Sequence, residues 1–256
     1  MSLNITNRFN RIANLEKILI FRNLISHFRK VSKEKGILFT IRVGIDRLLY
    51  FIYYKQFKRH NSTFSFQGHK YHYFYSFINS TWVSERSVEI PIVMEIIKKN
   101  YGKKILEIGN VLSHYFNFEH FILDKYEIAN GVINQDVVDF KSTEKYDLIV
   151  SISTLEHVGW DETPRDDMKI VRAIENLKSL VRSNGGMIVV TFPLGYNFAL
   201  DKLLKDKVIQ FTEQYYLVRI SKGNEWKEAS WKDVQNAKYG KPFPFANALV
   251  IGIIYG

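Results

Sequence analysis

From Lys104 onward, short apolar runs alternate with stretches of helical periodicity, and this alternation limits the fold more than any other feature of the sequence. Five runs have the length and β-branched content of buried strands: residues 105–109, 120–124, 146–153, 185–192 and 248–254. Between the third and fourth runs, Asp166–Val181 places its apolar residues on one helix face. Apolar strands separated by helices predict a parallel sheet covered on both faces. The sequence therefore predicts an α/β fold.

The basic residues are concentrated at the start of the chain. The whole sequence has a net charge of +10. Residues 1–60 contain 13 Lys or Arg and three acids, whereas the remainder contains 23 of each sign. The main part of the chain therefore has no net positive charge with which to hold nucleic-acid phosphates, and we predict no nucleic-acid partner for it.

Residues 1–60 predict a basic, amphipathic helical extension, with two helices that break near Gly36. In the second helix, six apolar residues recur at helical spacing: Ile37, Ile41, Ile45, Leu48, Leu49 and Ile52. Arg42, Asp46 and Arg47 lie in the same stretch and disfavour a membrane-spanning helix. Three alternatives stay open: the extension packs on the domain or a dimer partner, lies on an anionic membrane surface, or binds nucleic acid.

The chain contains no cysteine, which excludes disulfides, thiolate metal sites and cysteine nucleophiles. Its first residues lack the apolar core of a secretory signal. We expect a cytoplasmic location, peripheral on the inner membrane face if the extension binds lipid. The sequence does not determine the oligomeric state.

Two segments precede the α/β pattern. Residues 61–81 predict a short β-hairpin and linker, because their apolar residues alternate around Gln67-Gly68. His69 and His72 are three positions apart, so in a strand they point to opposite faces and do not form a metal site. A helix is predicted for residues 82–100, and we place the main domain at 82–256.

Polar residues follow the predicted strands, where ligands bind to an open α/β sheet. Gly109 comes after the first strand and allows a tight turn close to a ligand. Asp124 ends the second strand, 17 residues after Glu107, and its carboxylate suits two vicinal ribose hydroxyls. The other polar residues in such positions are Asn110, Asp136, Glu156, His157, Tyr196 and Asn197.

This order of motifs resembles the class I S-adenosylmethionine (SAM)-dependent methyltransferases over about residues 82–256. The matching motifs are KKILEIGN (103–110), ILDKYE (122–127), KYDLIVSISTLEHVG (145–159) and LKSLVRSNGGMIVVTFP (177–193). The resemblance implies a Rossmann-like sheet of seven strands, mostly parallel, with helices on both faces, next to the N-terminal helical extension. It also implies SAM as the cofactor.

By this resemblance, several residues bind the cofactor. Glu107 and Gly109 would line the methionine end, Asp124 would hold the ribose, and Asp136 with Val137 would flank the adenine. Arg86, in the stretch TWVSERSVEIPI, is a candidate for the SAM carboxylate, since a guanidinium donates two parallel hydrogen bonds. Glu156 would shape the pocket. The family's GxGxG reads Gly109-Asn110-Val111-Leu112-Ser113 here, so we expect the side chain of Asn110 or of Ser113 to contribute instead.

The reaction implied is methyl transfer to a small-molecule or glycan-type acceptor, on oxygen. His157 is the candidate base for a hydroxyl acceptor, and its alternative role is to shape the cofactor pocket. Tyr196, Asn197 and Trp226 are candidate acceptor-binding residues, although the nearby aromatics could equally cover the sheet edge. No metal is expected.

Two other functions stay open at this point. A nicotinamide-dependent enzyme is disfavoured because the chain lacks GxGxxG. A non-catalytic methyltransferase-like domain is favoured by the incomplete glycine motif and disfavoured by the polar residues at the strand ends.

Overall fold

The computed structural model describes residues 36–58 and 62–256. A boundary between Tyr53 and Tyr54 divides these residues into two compact units. The first of the two helices predicted for the extension falls in residues 1–35, outside the described residues. The division of the chain at residues 60 and 81 stays a prediction.

The first unit contains helix α1 (Ile37–Tyr53), which corresponds to the second predicted helix of the extension. Its apolar residues recur three and four positions apart, as a helix with one apolar face requires. Across residues 36–58 and 62–256, no helix is long and apolar enough to cross a membrane.

The described residues of the second unit form ten strands and four α-helices. The strands are β1 (Thr63–Phe66), β2 (His69–His72), β3 (Ile105–Ile108), β4 (Phe121–Leu123), β5 (Val132–Ile133), β6 (Leu148–Ile152), β7 (Met187–Pro193), β8 (Glu213–Arg219), β9 (Trp226–Ala229) and β10 (Ala248–Tyr255). The α-helices are α2 (Arg86–Lys99), α3 (Lys169–Leu180), α4 (Phe198–Lys205) and α5 (Trp231–Val234). A π-helical turn (Tyr54–Lys58) and 3₁₀ turns at Ile78–Val83, Leu112–His114 and Leu155–His157 complete the elements.

Eight strands form one sheet in the order β5-β4-β3-β6-β7-β10-β8-β9. The first five of this order are parallel, and β10, β8 and β9 join in antiparallel pairings. The predicted Rossmann-like, mostly parallel sheet is therefore present. The predicted count of seven is one short, because β8 and β9 form an antiparallel hairpin at the edge.

Helices cover both faces of the sheet, as predicted. On one face, α3 and α4 pack through Ile170, Leu177 and Leu200 against alternate residues of β3, β6, β7 and β10. On the other face, α2 contributes Val93 and Ile97 to a cluster with the intervening strand residues. The two-sided burial explains why the central strands are nearly continuous apolar runs.

Strands β1 and β2 form a separate antiparallel hairpin that turns at Gln67-Gly68. Both turn residues have positive φ, as a two-residue hairpin of type I′ requires. The hairpin places Phe64 and Phe66 in a buried cluster with Trp226 and Leu249. It thereby covers the antiparallel end of the large sheet.

Candidate functional site

A cavity of about 430 Å³ opens at the carboxyl ends of β3, β4 and β6, where ligands bind in open α/β sheets. Its lining includes apolar residues at the ends of β3 and β4 and in the loops after β5 and β6, together with a larger set of polar residues. The lining residues are Ile108, Gly109, Leu123, Asp124, Lys125, Tyr126, Glu127, Gln135, Asp136, Val137, Thr154, His157, Val158 and Glu162.

Gly109 makes the turn that brings the backbone to the cavity wall. It has φ +83, and a Cβ at this position would lie 2.2 Å from Oγ1 of Thr154. Its amide donates to the carbonyl oxygen of Leu123 at 2.8 Å, which ties the turn to the end of β4. Glycine is required here both by the left-handed backbone and by the close approach of Thr154.

Glu107 holds the loop that follows this turn. It is fully buried on β3, and its Oε1 accepts hydrogen bonds from the amides of Val111 and Leu112 at 2.9 and 2.8 Å. Its Oε2 lies 2.6 Å from Nε2 of His120. The carboxylate is thus occupied by the protein itself, and the structure does not place it in the cavity wall. Its role for the methionine end of a cofactor stays a prediction.

Asp124 lies at the end of β4 and lines the cavity. Oδ1 accepts hydrogen bonds from the amides of Tyr126 and Glu127, both at 2.8 Å, and Oδ2 accepts one from the amide of Asn110 at 3.1 Å. A carboxylate has about four lone-pair positions. One position on Oδ2 is therefore left for a ligand hydroxyl.

Asn110 is buried beside Asp124 and does not line the cavity itself. Its side-chain amide donates to Oε1 of Glu127 at 2.8 Å, and Glu127 does line the cavity. Asn110 thereby positions a second carboxylate next to the first. Sequence analysis missed Glu127, although it lies three residues after Asp124 within the motif ILDKYE.

A cluster of two ammonium groups and two carboxylates closes one side of the cavity. Lys169 Nζ lies 2.5 Å from both Asp136 Oδ2 and Glu162 Oε2, and Lys125 Nζ lies 2.9 and 2.8 Å from the same two atoms. Burial opposes ionisation of Asp136, but hydrogen bonds from the two lysines lower its pKa to about 2. The cluster joins the segments that follow β4, β5 and β6 around the cavity.

His157 lines the cavity from the 3₁₀ turn after β6. Its Nδ1 lies 2.5 Å from Oδ2 of Asp161, and the same oxygen accepts the Tyr196 hydroxyl at 2.7 Å. Burial raises the pKa of Asp161, but the hydrogen bonds from His157 and Tyr196 outweigh it and lower the pKa overall. A carboxylate that accepts from Nδ1 leaves the lone pair of Nε2 available to take a proton.

Glu156 and Arg86 flank the end of β6 without lining the cavity. Glu156 is buried, and its Oε1 lies 3.7 Å from His157 Nε2. Burial raises its pKa well above the ordinary value, because the charged form loses its hydration there. Arg86 donates to the carbonyl oxygens of Ile152 and Ser153 at 2.6 and 3.3 Å. These contacts occupy the guanidinium edge that we expected to bind the SAM carboxylate.

Trp226 and Asn197, two of the residues predicted to bind the acceptor, do not line the cavity. Trp226 is buried under the β1–β2 hairpin, and its indole N–H donates to Asn224 Oδ1 at 2.8 Å. Asn197 is also buried: its Oδ1 caps α4 by accepting the Leu200 amide, and its Nδ2 donates to the Glu156 carbonyl oxygen. Neither side chain has a face left for a substrate. Tyr196 alone of the three lies beside His157, with ring centroids 4.8 Å apart.

Of the predicted site residues, Gly109, Asp124, Asp136, Val137 and His157 line one cavity. The neighbouring lining residues Lys125, Tyr126, Gln135 and Thr154 were not predicted from the sequence. Adjacency to the predicted residues was the signal available for most of them. Among the described residues, no group of three His, Asp or Glu side chains has a geometry that could hold a metal ion.

No protein-family model matches the chain, and no curated protein matches its sequence. Solved structures are similar to it over about two thirds of its length. A SAM-dependent methyltransferase from Clostridium acetobutylicum is 11% identical, with 64% of this chain and 89% of that chain covered and a TM-score of 0.34. The N-methyltransferase NodS from Bradyrhizobium japonicum, in complex with S-adenosyl-L-homocysteine, is 13% identical, with 65% and 85% covered and a TM-score of 0.42.

The sugar N-methyltransferase KedS8 from a Streptoalloteichus species is 10% identical, with 66% of this chain and 88% of that chain covered and a TM-score of 0.35. These low values carry no conclusion about the activity of this chain. Its α/β class follows from its own strand order and from the helices on both faces of its sheet.

Proposed function

We propose that this chain is a class I SAM-dependent methyltransferase. The acidic cavity at the ends of β3, β4 and β6 is the observation that carries the proposal. Four carboxylates line it, from Asp124, Glu127, Asp136 and Glu162. The ammonium groups of Lys125 and Lys169 bind Asp136 and Glu162, so the other two carboxylates are in excess. SAM is positively charged at its sulfonium and amino groups, so an excess of carboxylates favours it electrostatically.

The connection after β3 disfavours a dinucleotide. Rossmann dehydrogenases place the pyrophosphate at the N-terminus of the helix that follows the first strand of the fold. In the described stretch from Ile108 to Phe121, only the three-residue turn Leu112–His114 is helical. Neither this stretch nor the acidic lining suits a pyrophosphate, whereas SAM contains no phosphate.

The residues of the cavity fit the parts of SAM. Asp124 has one lone-pair position left for a ribose hydroxyl, and Glu127 beside it is the candidate acceptor for the second. Ile108, Leu123 and Val137 supply apolar walls for a flat base. Gly109 keeps the backbone close to the space in which the methionine end would lie.

When bound, SAM supplies a methyl group that its sulfonium has already activated. The chain must then position the acceptor, exclude water and accept a proton if the acceptor is a hydroxyl. We assign the proton to Nε2 of His157, which Asp161 orients through Nδ1. Tyr196 donates a hydrogen bond to the same Asp161 oxygen and helps to fix it. This arrangement supports transfer to oxygen on a small-molecule or glycan-type acceptor.

The cofactor is tested by calorimetric titration of the full chain with SAM and with S-adenosylhomocysteine. Asp124→Asn removes the negative charge that would accept a ribose hydroxyl. A hydrogen bond to a charged group contributes about 1.5–3 kcal/mol, so we expect binding to weaken about 10- to 150-fold. Asp147→Asn is the matched control, because Asp147 also accepts a backbone amide but lies at the amino end of β6.

The control variant should bind both ligands with affinities within about twofold of those of the original chain, since Asp147 lies at the amino ends of the parallel strands, away from the cavity. Absence of heat and of any thermal shift with either ligand, from folded protein, would refute the methyltransferase proposal and favour a non-catalytic domain. If both variants lost the same affinity for SAM, the role of Asp124 would be refuted, but the methyltransferase proposal would not.

A further inference from the structure

Seven aliphatic residues form one face of α1. They are Ile37, Leu38, Ile41, Ile45, Leu48, Leu49 and Ile52, which we call the α1 apolar face. At about 100° per residue, they fall within about 120° of the helix circumference. Each of these side chains is between 42 and 85% exposed. Monomeric soluble proteins rarely expose so many aliphatic residues in one contiguous patch.

Charged and amphipathic residues of α1 lie outside the α1 apolar face. Arg42 and Asp46 are exposed there, and so is Tyr50 on the side away from the α1 apolar face. Charged residues within the helix make a spanning orientation costly, whereas a helix lying along the surface keeps them in water. The distribution of side chains therefore suits a helix that lies in the plane of an interface.

We infer that the α1 apolar face binds the interfacial region of an anionic bilayer. Charge selects this occupant: residues 1–60 contain 13 basic and three acidic residues, and the remaining sequence is neutral. Basic residues near a surface of anionic lipid each contribute about 1 kcal/mol of attraction. A second copy of this chain would instead bring another strongly basic segment against the first, and like charges oppose that pairing.

The inference does not depend on methyltransferase activity, because it rests on α1 and on the charge of the extension alone. The test is co-sedimentation of the full chain with vesicles of phosphatidylcholine, with and without about one third phosphatidylglycerol. We expect binding to the anionic vesicles at least about tenfold stronger than to the neutral ones.

Two variants with the same change in charge locate the contact. Ile45→Glu places a carboxylate in the middle of the α1 apolar face and should weaken binding to anionic vesicles at least about tenfold. Tyr50→Glu adds the same charge on the other side of the helix and should weaken it only about twofold to fivefold. Both side chains are more than half exposed, so neither variant should alter the thermal unfolding of the main domain.

Three results would overturn the inference. If high salt abolished vesicle binding and both variants reduced it equally, basic charge would be acting without the α1 apolar face. Equal binding to neutral and anionic vesicles would remove the role of charge. A concentration-dependent dimer that Ile45→Glu dissociates, in a chain that does not bind vesicles, would identify a second copy as the occupant.

Discussion

Replacement of Gly109 by alanine tests whether the turn beside the cavity needs glycine for its backbone, for its closeness to Thr154, or for both. The backbone has φ +83, and an added Cβ would lie 2.2 Å from Thr154 Oγ1 and 2.7 Å from its Cγ2. Hydrogen bonds from the Gly109 amide to Leu123 and from the Val111 amide to the Gly109 carbonyl oxygen hold the turn in place. Thr154 must therefore move.

The control is Gly131→Ala, because Gly131 has φ +82 and no atom within 4 Å of an added Cβ. A left-handed backbone costs an alanine about 1–2 kcal/mol, and this is the whole cost expected at position 131. Overpacking typically adds about 1–3 kcal/mol. We therefore expect Gly109→Ala to lower the free energy of unfolding by about 2–5 kcal/mol, to be measured by urea denaturation.

A double-mutant cycle separates the two contributions at position 109. Thr154→Gly removes the three side-chain atoms nearest to the added Cβ, so Gly109→Ala in that background should cost only about 1–2 kcal/mol. Equal costs for Gly109→Ala and Gly131→Ala would refute the steric reasoning. So would a cycle without coupling between positions 109 and 154.

Three further predictions concern charged and buried side chains. Lys169→Met leaves two partly buried carboxylates with Lys125 alone and should lower the free energy of unfolding, measured by urea denaturation, by about 1–3 kcal/mol. The control Lys178→Met breaks an exposed ion pair and should lower it by at most about 1 kcal/mol. Equal costs would contradict the role of the cluster. Burial raises the pKa of Asp201 to about 6, so its ionised form destabilises the fold as pH rises from about 4 to about 7. Asp201→Asn should therefore gain about 2–3 kcal/mol over the original chain at pH 7 and less than about 1 kcal/mol at pH 4; a gain independent of pH would contradict this. Trp226→Phe loses a buried hydrogen bond and should lower the free energy of unfolding by about 1–3 kcal/mol, with calorimetric SAM affinity unchanged; a selective loss of affinity would restore Trp226 to the site.

The sequence predicted the central strands well because parallel strands buried on both faces are continuous apolar runs. Strands β3, β4, β6, β7 and β10 begin and end within two residues of the predicted runs. Strands β8 and β9 carry no such run, since most of their side chains are partly or fully exposed. The hairpin at the sheet edge was missed for this reason.

The site was predictable as far as it depends on strand ends. Asp124 and His157 lie at the cavity because each follows a strand of the same parallel sheet. The contacts among site residues were not predictable, because they join distant segments. Lys125 and Glu162 are 37 positions apart, and no periodicity or motif relates them. Trp226 begins β9, and nothing in the sequence around it indicated that the β1–β2 hairpin would bury it.

The incomplete glycine motif has a physical explanation in the loop after β3. Of the residues from Gly109 to Ser113, only Gly109 has positive φ, so the later positions do not require glycine. Side chains hold the loop instead: Glu107 accepts the amides of Val111 and Leu112, and Asn110 bridges to Glu127. Because Glu107 and Asn110 fix the backbone path that additional glycines would otherwise permit, the missing glycines are no argument against cofactor binding. We therefore expect Asn110→Gly to free the Glu127 side chain and weaken SAM binding, although the variant has one glycine more in the motif.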